Sequence, residues 1–282
     1  MSLLTVDYQA PDAPEKFVCS LRDCGFVVLK NHPLDWSLIE AIYAEWRGFF
    51  ESEAKHQYPG DPDNYDGYFG ADISEIAKGN TVKDIKEYYS LFFPSGRYPQ
   101  EVSDQAKRYY QAATHLAQEL LGWLHTGLPE HLRTRLPTSL PELMCFERSL
   151  YRILYYPALS GTEEEGAERA APHEDINFIT VLPIASEAGL QIKGQDGQWI
   201  DVPLNPETLV INAGDMLQEI SDFYYKSTTH RVLNPTGEAA KHPRISTPLF
   251  VPPKMDTFLS ERYPTAHDYL MERFKENGVV KN

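Results

Sequence analysis

Apolar positions recur at helical spacing through the first half of the chain and give way to short β-branched runs in the second. From Ala13 to Tyr58 the pattern predicts helix, short strand, helix. The strand is the β-branched centre of CGFVVLKNH, and DWSLIEAIYAEWRGFFES carries one apolar stripe of Leu38, Ala41, Ile42, Trp46 and Phe49. YPGDPDNYDGYFGADISEIAKGN, dense in Gly, Pro, Asp and Asn, predicts an ordered but irregular loop of the aromatic kind that covers something. Between Ser103 and Leu136, SDQAKRYYQAATHLAQELLGWLHTGL predicts an amphipathic helix bracing a sheet, with Ala106, Tyr110, Ala113, Leu116, Leu120, Leu121 and Leu124 on its buried side.

After Pro141 the texture changes. LYRILYYP, FITVLPI, GLQIK, QWIDVPL, TLVINAG, THRVLNP and RISTPLFVP are strand-like runs separated by Gly, Pro and Asn turns, as in a sandwich or barrel. PTAHDYLMERFKENG reads as a closing helix, and GTEEEGAERAA as a solvated acidic loop. The expected organisation is one domain over 1–282: a helical and mixed region at 1–140, a core at 141–255 and a C-terminal helix at 256–282.

Composition narrows the function. Hydrophobic residues at 42 % and charged residues at 24 % are ordinary for a globular protein. A net charge of −15, from 26 Lys and Arg against 41 Asp and Glu, repels phosphate backbones and anionic lipid, so a small-molecule substrate is expected, with neither nucleic acid nor membrane as partner. Three cysteines, Cys19, Cys24 and Cys145, without metal-type pairing suggest a reducing compartment, the cytoplasm. MSLLTVDYQAPDAPEKF has no basic start before an apolar stretch, and no run of eighteen apolar residues occurs. Nothing in the pattern bears on oligomeric state.

The candidate chemistry begins in PHEDINFITVLP. On an extended backbone His173 and Asp175 share a face while Glu174 points away. Two imidazoles and one carboxylate on a triangular face suit a divalent first-row metal with open positions, as in non-haem Fe(II) oxygenases. The second imidazole is His230, in YYKSTTHRVLNP, whose place in the strand order suits a jelly roll. His32, His115, His125, His131 and His267 sit on predicted helices or turns without partners. Arg244 and Ser246, two apart on an apolar strand, form a guanidinium and hydroxyl pair suited to a carboxylate.

HEDINFITVL, GLQIK, LVINAGDMLQEISDFYYKSTTHRVLNP and RISTPLF together resemble the iron-binding half of the isopenicillin N synthase-like branch of the 2-oxoglutarate and Fe(II)-dependent dioxygenases. The N-terminal LRDCGFVVLKNHPLDWSLIEAIYAEWRGFFESEAKHQY is similar to that family's first region. The resemblance implies a mainly β fold with flanking helices around a double-stranded β-helix (jelly-roll) core. It implies Fe(II) on His173, Asp175 and His230, the distal carboxylate of 2-oxoglutarate on Arg244, Ser246 and Tyr156, and O2 as oxidant. The implied reaction is oxidation of a small molecule, chiefly hydroxylation, with release of succinate and CO2.

Two positions depart from relatives. Leu154 stands where many plant members have an asparagine contacting the co-substrate, with Arg152 a candidate to compensate. Tyr65 stands where isopenicillin N synthase has an arginine for its tripeptide, and NGVVKN at the C-terminus supplies no extra side-chain iron ligand. A 2-oxoglutarate-independent oxidase or cyclase resembling that synthase is the alternative, since there the Arg-x-Ser pair holds the substrate's own carboxylate. A non-catalytic binder and a Zn(II) hydrolase are further readings, disfavoured by the intact site positions and by the absence of a general base. The aromatic set Tyr65, Tyr68, Phe69, Tyr88, Tyr89, Phe92 and Phe93 lies in the region expected to cover the mouth of the site, with core packing the expected role of at least half of it.

Overall fold

The structure is a computed structural model that describes residues 3–61, 64–71 and 82–276. The N-terminal part runs β1 (Leu4–Asp7), α1 (Ala13–Cys24), β2 (Phe26–Lys30), α2 (Trp36–Phe50), β3 (Gly67–Phe69), β4 (Glu87–Leu91) and α3 (Gln105–Gly127), then two short helices, α4 (Glu130–Arg133) and α5 (Leu140–Leu143). There follow β5 (Leu150–Tyr156), β6 (Ala170–His173), β7 (Ile179–Pro183), β8 (Leu190–Lys193), β9 (Trp199–Asp201), β10 (Thr208–Ala213), α6 (Asp215–Ile220), β11 (His230–Val232), β12 (Arg244–Ser246), β13 (Leu249–Val251) and α7 (Ala266–Glu276).

Among the described residues these strands form two sheets. The larger has the order β1-β2-β10-β7-β13-β5-β4-β3, with β12 also paired to β5; the smaller has the order β6-β11-β8-β9. From β5 onward the chain passes back and forth between the sheets, staying in the smaller one only for the β8–β9 hairpin. This is the double-stranded β-helix, mainly β with flanking helices, expected from the sequence. The N-terminal strands extend it at both edges, β2 through β10 and β4 through β5.

The strand β2 is buried on both faces, which its unbroken FVVL run requires. Phe26 and Val28 join Leu190, Ile192, Val210 and Val232 between the sheets. Val27 and Leu29 join the cluster of α1, α2 and α3, with Phe17, Leu21, Trp46, Leu120 and Leu124.

Four local expectations need correction. The buried face of α2 is Ile39, Ile42, Tyr43, Trp46, Phe49 and Phe50, while Leu38 and Ala41 are half-buried, because the helix turns its aromatic side to the sheet. Within the expected irregular loop, Gly67–Phe69 forms a strand on β4, pairing Tyr68 with Tyr89; residues 62–63 and 72–80 of that loop lie outside the described residues, as does NGVVKN. RISTPLFVP is two strands, since the chain switches at Thr247–Pro248, where proline has no N–H for a ladder. The acidic GTEEEGAERAA is not solvated throughout, because Arg169 near its end is fully buried and Ala170 already belongs to β6.

Gly25 is the hinge between α1 and β2. Its φ is +73°, and a Cβ there would lie 2.3 Å from the carbonyl oxygen of Lys226 and 2.5 Å from Oγ1 of Thr228. Its own carbonyl accepts from Ala213 N–H at 3.0 Å. Gly25→Ala is therefore expected to cost about 1–3 kcal/mol. At about 2–4 °C per kcal/mol for a chain of this size, thermal unfolding followed by circular dichroism should shift down by several degrees. An unchanged midpoint would show that the hinge tolerates a side chain.

Candidate functional site

His173 is the last residue of β6 and His230 the first of β11, and the two face each other across the antiparallel ladder with ring centroids 4.3 Å apart. Asp175 lies two residues beyond β6, in the turn where the chain leaves the smaller sheet for the larger. His173 thus ends one strand and does not head the ITVLP strand that follows. Nε2 of His173 and of His230 lie 3.9 and 3.8 Å from Oδ1 of Asp175. The three ligating atoms all fall within 4.8 Å of one another.

Each ring is oriented by its backbone. Nδ1 of His173 donates to the carbonyl of Ala171 at 2.8 Å, and Nδ1 of His230 to the carbonyl of Thr228 at 3.1 Å. Since a carbonyl only accepts, Nδ1 carries the proton and Nε2 presents its lone pair to the centre. Burial, and then the neighbouring His230, push the His173 pKa down to about 4, so the ring is neutral near pH 7. Burial raises the Asp175 carboxyl, but the two histidines and its hydrogen-bond donors outweigh this and hold it below the ordinary value. Two imidazoles presenting Nε2 and one carboxylate, all lining one cavity, fit a divalent metal.

Asp175 is itself held from three directions. Its Oδ2 accepts from Thr180 Oγ1 at 2.5 Å and from Asn212 Nδ2 at 2.8 Å, and its backbone carbonyl accepts from Asp215 N–H at 2.7 Å. The last bond needs Gly214, where a Cβ would stand 2.3 Å from the carbonyl oxygen of Asn177. Thr180 and Asn212 were not singled out in the sequence. The available signal was a lone polar residue inside each apolar run, ITVLP and TLVINA, and both sit directly opposite each other on β7 and β10.

The second cluster lies on the larger sheet. Arg244 pairs with Tyr156 and Ser246 with Leu154, so all four project into the same cavity. Arg244 is 2 % exposed. Its Nε donates to the carbonyl of Glu187 at 3.0 Å, its Nη1 has no partner, and its Cζ lies 5.0 Å from the Tyr156 ring centre. Burial lowers its pKa, opposed by Tyr156. Leu154, opposite Ser246, adds apolar surface to the cavity wall beside this cluster. Arg152 also lines the cavity, lying over the rings of Tyr88 and Phe250 at 4.4 and 5.8 Å.

Both clusters open into one cavity of about 1020 Å³. Of the aromatic set, Tyr65 and Phe92 line it. Tyr68 and Tyr89 are buried in the helical core, Phe69 stacks on Tyr88 at 4.9 Å, and Phe93 packs on Tyr110, so these five serve packing. From α7 come Leu270, Arg273 and Phe274. A further ion pair, Lys86 to Asp84 at 2.6 Å, is buried in the wall, with Asp84 accepting from Ala171 N–H at 3.0 Å. None of His32, His115, His125, His131 and His267 is among the described lining residues.

Comparison with known proteins agrees with this geometry. Residues 147–253 match the family model of the 2OG-Fe(II) oxygenase superfamily, and residues 4–113 that of the non-haem dioxygenase in morphine synthesis N-terminal region. Jasmonate-induced oxygenases 3 and 4 of Arabidopsis thaliana are 29 % and 30 % identical over 263 and 254 residues. Each alignment takes in 83 % of this chain, but 64 % of the first relative's length and 67 % of the second's. A crystal structure from Shewanella oneidensis, of a protein provisionally classed as an oxygenase, is 49 % identical and superimposes with a TM-score of 0.88, covering 99 % of this chain and 100 % of its own. With both halves of the chain matched and a His-Asp-His face present in the core, this chain belongs to the 2-oxoglutarate and Fe(II)-dependent oxygenase superfamily.

Proposed function

We propose that the protein oxidises, by hydroxylation, a small organic molecule, using Fe(II) on His173, Asp175 and His230 and 2-oxoglutarate anchored by Arg244, Ser246 and Tyr156. One observation carries this reading. A single cavity contains a His-Asp-His face and, on its other wall, a buried guanidinium with an unpartnered Nη1. Fe(II) and O2 would supply the coupling of 2-oxoglutarate decarboxylation, to succinate and CO2, to oxidation of a substrate C–H bond.

The chain's own task is positioning and exclusion. The carbonyls of Ala171 and Thr228 hold the two imidazoles with Nε2 inward, and Thr180 and Asn212 occupy one oxygen of Asp175 so that the other faces the centre. Arg244 and Ser246 meet a carboxylate with donors that water cannot replace at 2 % and 3 % exposure.

The volume, at the upper end of ordinary small-molecule sites, leaves room for a substrate beside the co-substrate. Lys86, Arg148, Arg152 and Arg273 line the cavity together with Asp66, Asp84, Glu147, Glu174 and Asp215, so its wall is nearer charge balance than the acidic chain as a whole. No described helix is long and apolar enough to cross a membrane, and all three cysteines are free thiols, which suits a cytoplasmic enzyme.

Leu154 favours one competing reading, in which no 2-oxoglutarate binds and Arg244 holds the substrate's own carboxylate. Anaerobic titration of the Fe(II) protein with 2-oxoglutarate separates the two. A visible metal-to-ligand charge-transfer band is expected, and Arg244→Ala should weaken the binding that it reports by about a hundredfold, the scale for unpairing a buried charge. Iron uptake without a band would put the oxidase reading first. His173→Ala and His230→Ala should each abolish both iron uptake and the band. Asn212→Ala removes one of the two donors that hold Oδ2 of Asp175 and is expected to weaken Fe(II) binding by about 10-fold or more while the fold survives. Competition with a metal-chelating dye measures this, and unchanged affinity would deny Asn212 its orienting role.

A further inference from the structure

The sequence placed Arg169 in a solvated loop, but it is 0 % exposed and, with Arg244, among the largest fully buried side chains of the molecule. Its Nη2 donates to the carbonyl of His242 at 3.0 Å and, at 3.4 Å, to that of Pro157. Nε and Nη1 have no partner. Glu187 is the carboxylate whose field reaches both Arg169 and Arg244, but among the described residues it forms no ion pair with either; Glu168 faces Arg231 at 3.6 Å, and Glu163 accepts from Ser160 and Gly161. Its Cζ lies 6.0 Å from the centre of the Tyr156 ring, whose centre is also 5.0 Å from Cζ of Arg244.

Two buried guanidiniums thus share one tyrosine and have no ion-pair carboxylate among the described residues. Burying one unpaired cation costs several kcal/mol, and a like charge beside it adds to that. Burial first, and then the charge of Arg244, lower the Arg169 pKa to about 10, so it stays charged near pH 7. A side chain needed only to fill space here would carry no charge. The charge is accounted for if an anion completes the cluster, and a field of this kind reaches past the first contact in a low-dielectric interior.

We propose that Arg169 is a positioning residue of the acid-binding end, acting through Tyr156 and Arg244 to select a co-substrate that carries a second carboxylate. This rests on the assignment of Arg244, Ser246 and Tyr156 to that carboxylate. Arg169 does not line the cavity. It ties the end of β5 to the segment before β12, the two strands that present Tyr156 and Arg244, and adds its charge to theirs.

The test compares 2-oxoglutarate with 2-oxopentanoate, the same chain without the far carboxylate, each titrated anaerobically into Fe(II) protein and read from the charge-transfer band. Arg169→Met should weaken 2-oxoglutarate binding about tenfold, the scale of one cation acting across roughly 10 Å at an effective dielectric of 20, and leave 2-oxopentanoate within about twofold. Arg169→Lys keeps the charge while losing the fork, and should bind 2-oxoglutarate within about threefold of the parent. Equal losses for both acids, no loss for either, or a tenfold loss in Arg169→Lys would overturn the proposal and leave Arg169 as a backbone brace. Arg244→Ala run in parallel separates the levels. Dependence on Arg244 without dependence on Arg169 removes only this inference, whereas dependence on neither removes the clamp assignment with it.

Discussion

A buried carboxylate with one oxygen tied down and the other left open is the constraint on which the architecture turns. Oδ2 of Asp175 is claimed by Thr180 and Asn212, which pair across β7 and β10 in the larger sheet, while Oδ1 faces two imidazoles that pair across β6 and β11 in the smaller. A slip of one residue in either ladder would turn its side chains to the opposite face and leave a buried anion unpaired. The two registers therefore have to agree, and the jelly roll is the arrangement in which a chain crossing between sheets brings them together. Even the N-terminal strand contributes, since β2 flanks β10 and Phe26 packs edge-on to the His230 ring at 5.3 Å.

Much of this was legible because it is written in local periodicity. The β-branched runs after Pro141, the helix at Gln105–Gly127 and the spacings His-x-Asp and Arg-x-Ser each express a backbone geometry that needs only neighbours in sequence. What was not legible depends on distant partners. Thr180 and Asn212 look like ordinary polar residues until β7 and β10 pair. Lys86 and Asp84 meet the site only because Asp84 reaches the backbone of Ala171. The acidic run GTEEEGAERAA misled because its composition is that of a solvated loop, whereas a single residue in it, Arg169, is drawn inward by carbonyls from Pro157 and His242.

Charge shows the same divide between average and locality. A chain of net charge −15 should repel anions, yet it buries Arg244 in the cavity wall with Arg169 behind it, and sets Lys86, Arg148, Arg152 and Arg273 among the acidic residues that line the rest. Whole-chain charge governs what approaches from a distance and is screened within about 10 Å at ordinary salt. Inside the cavity the nearest few groups decide. The acidic surplus therefore argues against polyanionic partners and says nothing against a small dicarboxylate.

The C-terminal helix is bound into the same logic. Asp215, whose N–H fixes the carbonyl of Asp175, is 4 % exposed and accepts at Oδ2 from Tyr269 at 2.8 Å and Arg273 at 3.0 Å, both on α7. Burial raises its carboxyl pKa, and those two donors oppose the rise. Lifting α7 would break both of these bonds to Asp215. The wall formed by Leu270, Arg273 and Phe274 is thus part of the resting structure and not a free flap. It is fastened to the backbone that positions the aspartate of the metal site, so the shape of the substrate space and the placement of Asp175 are set by one shared group.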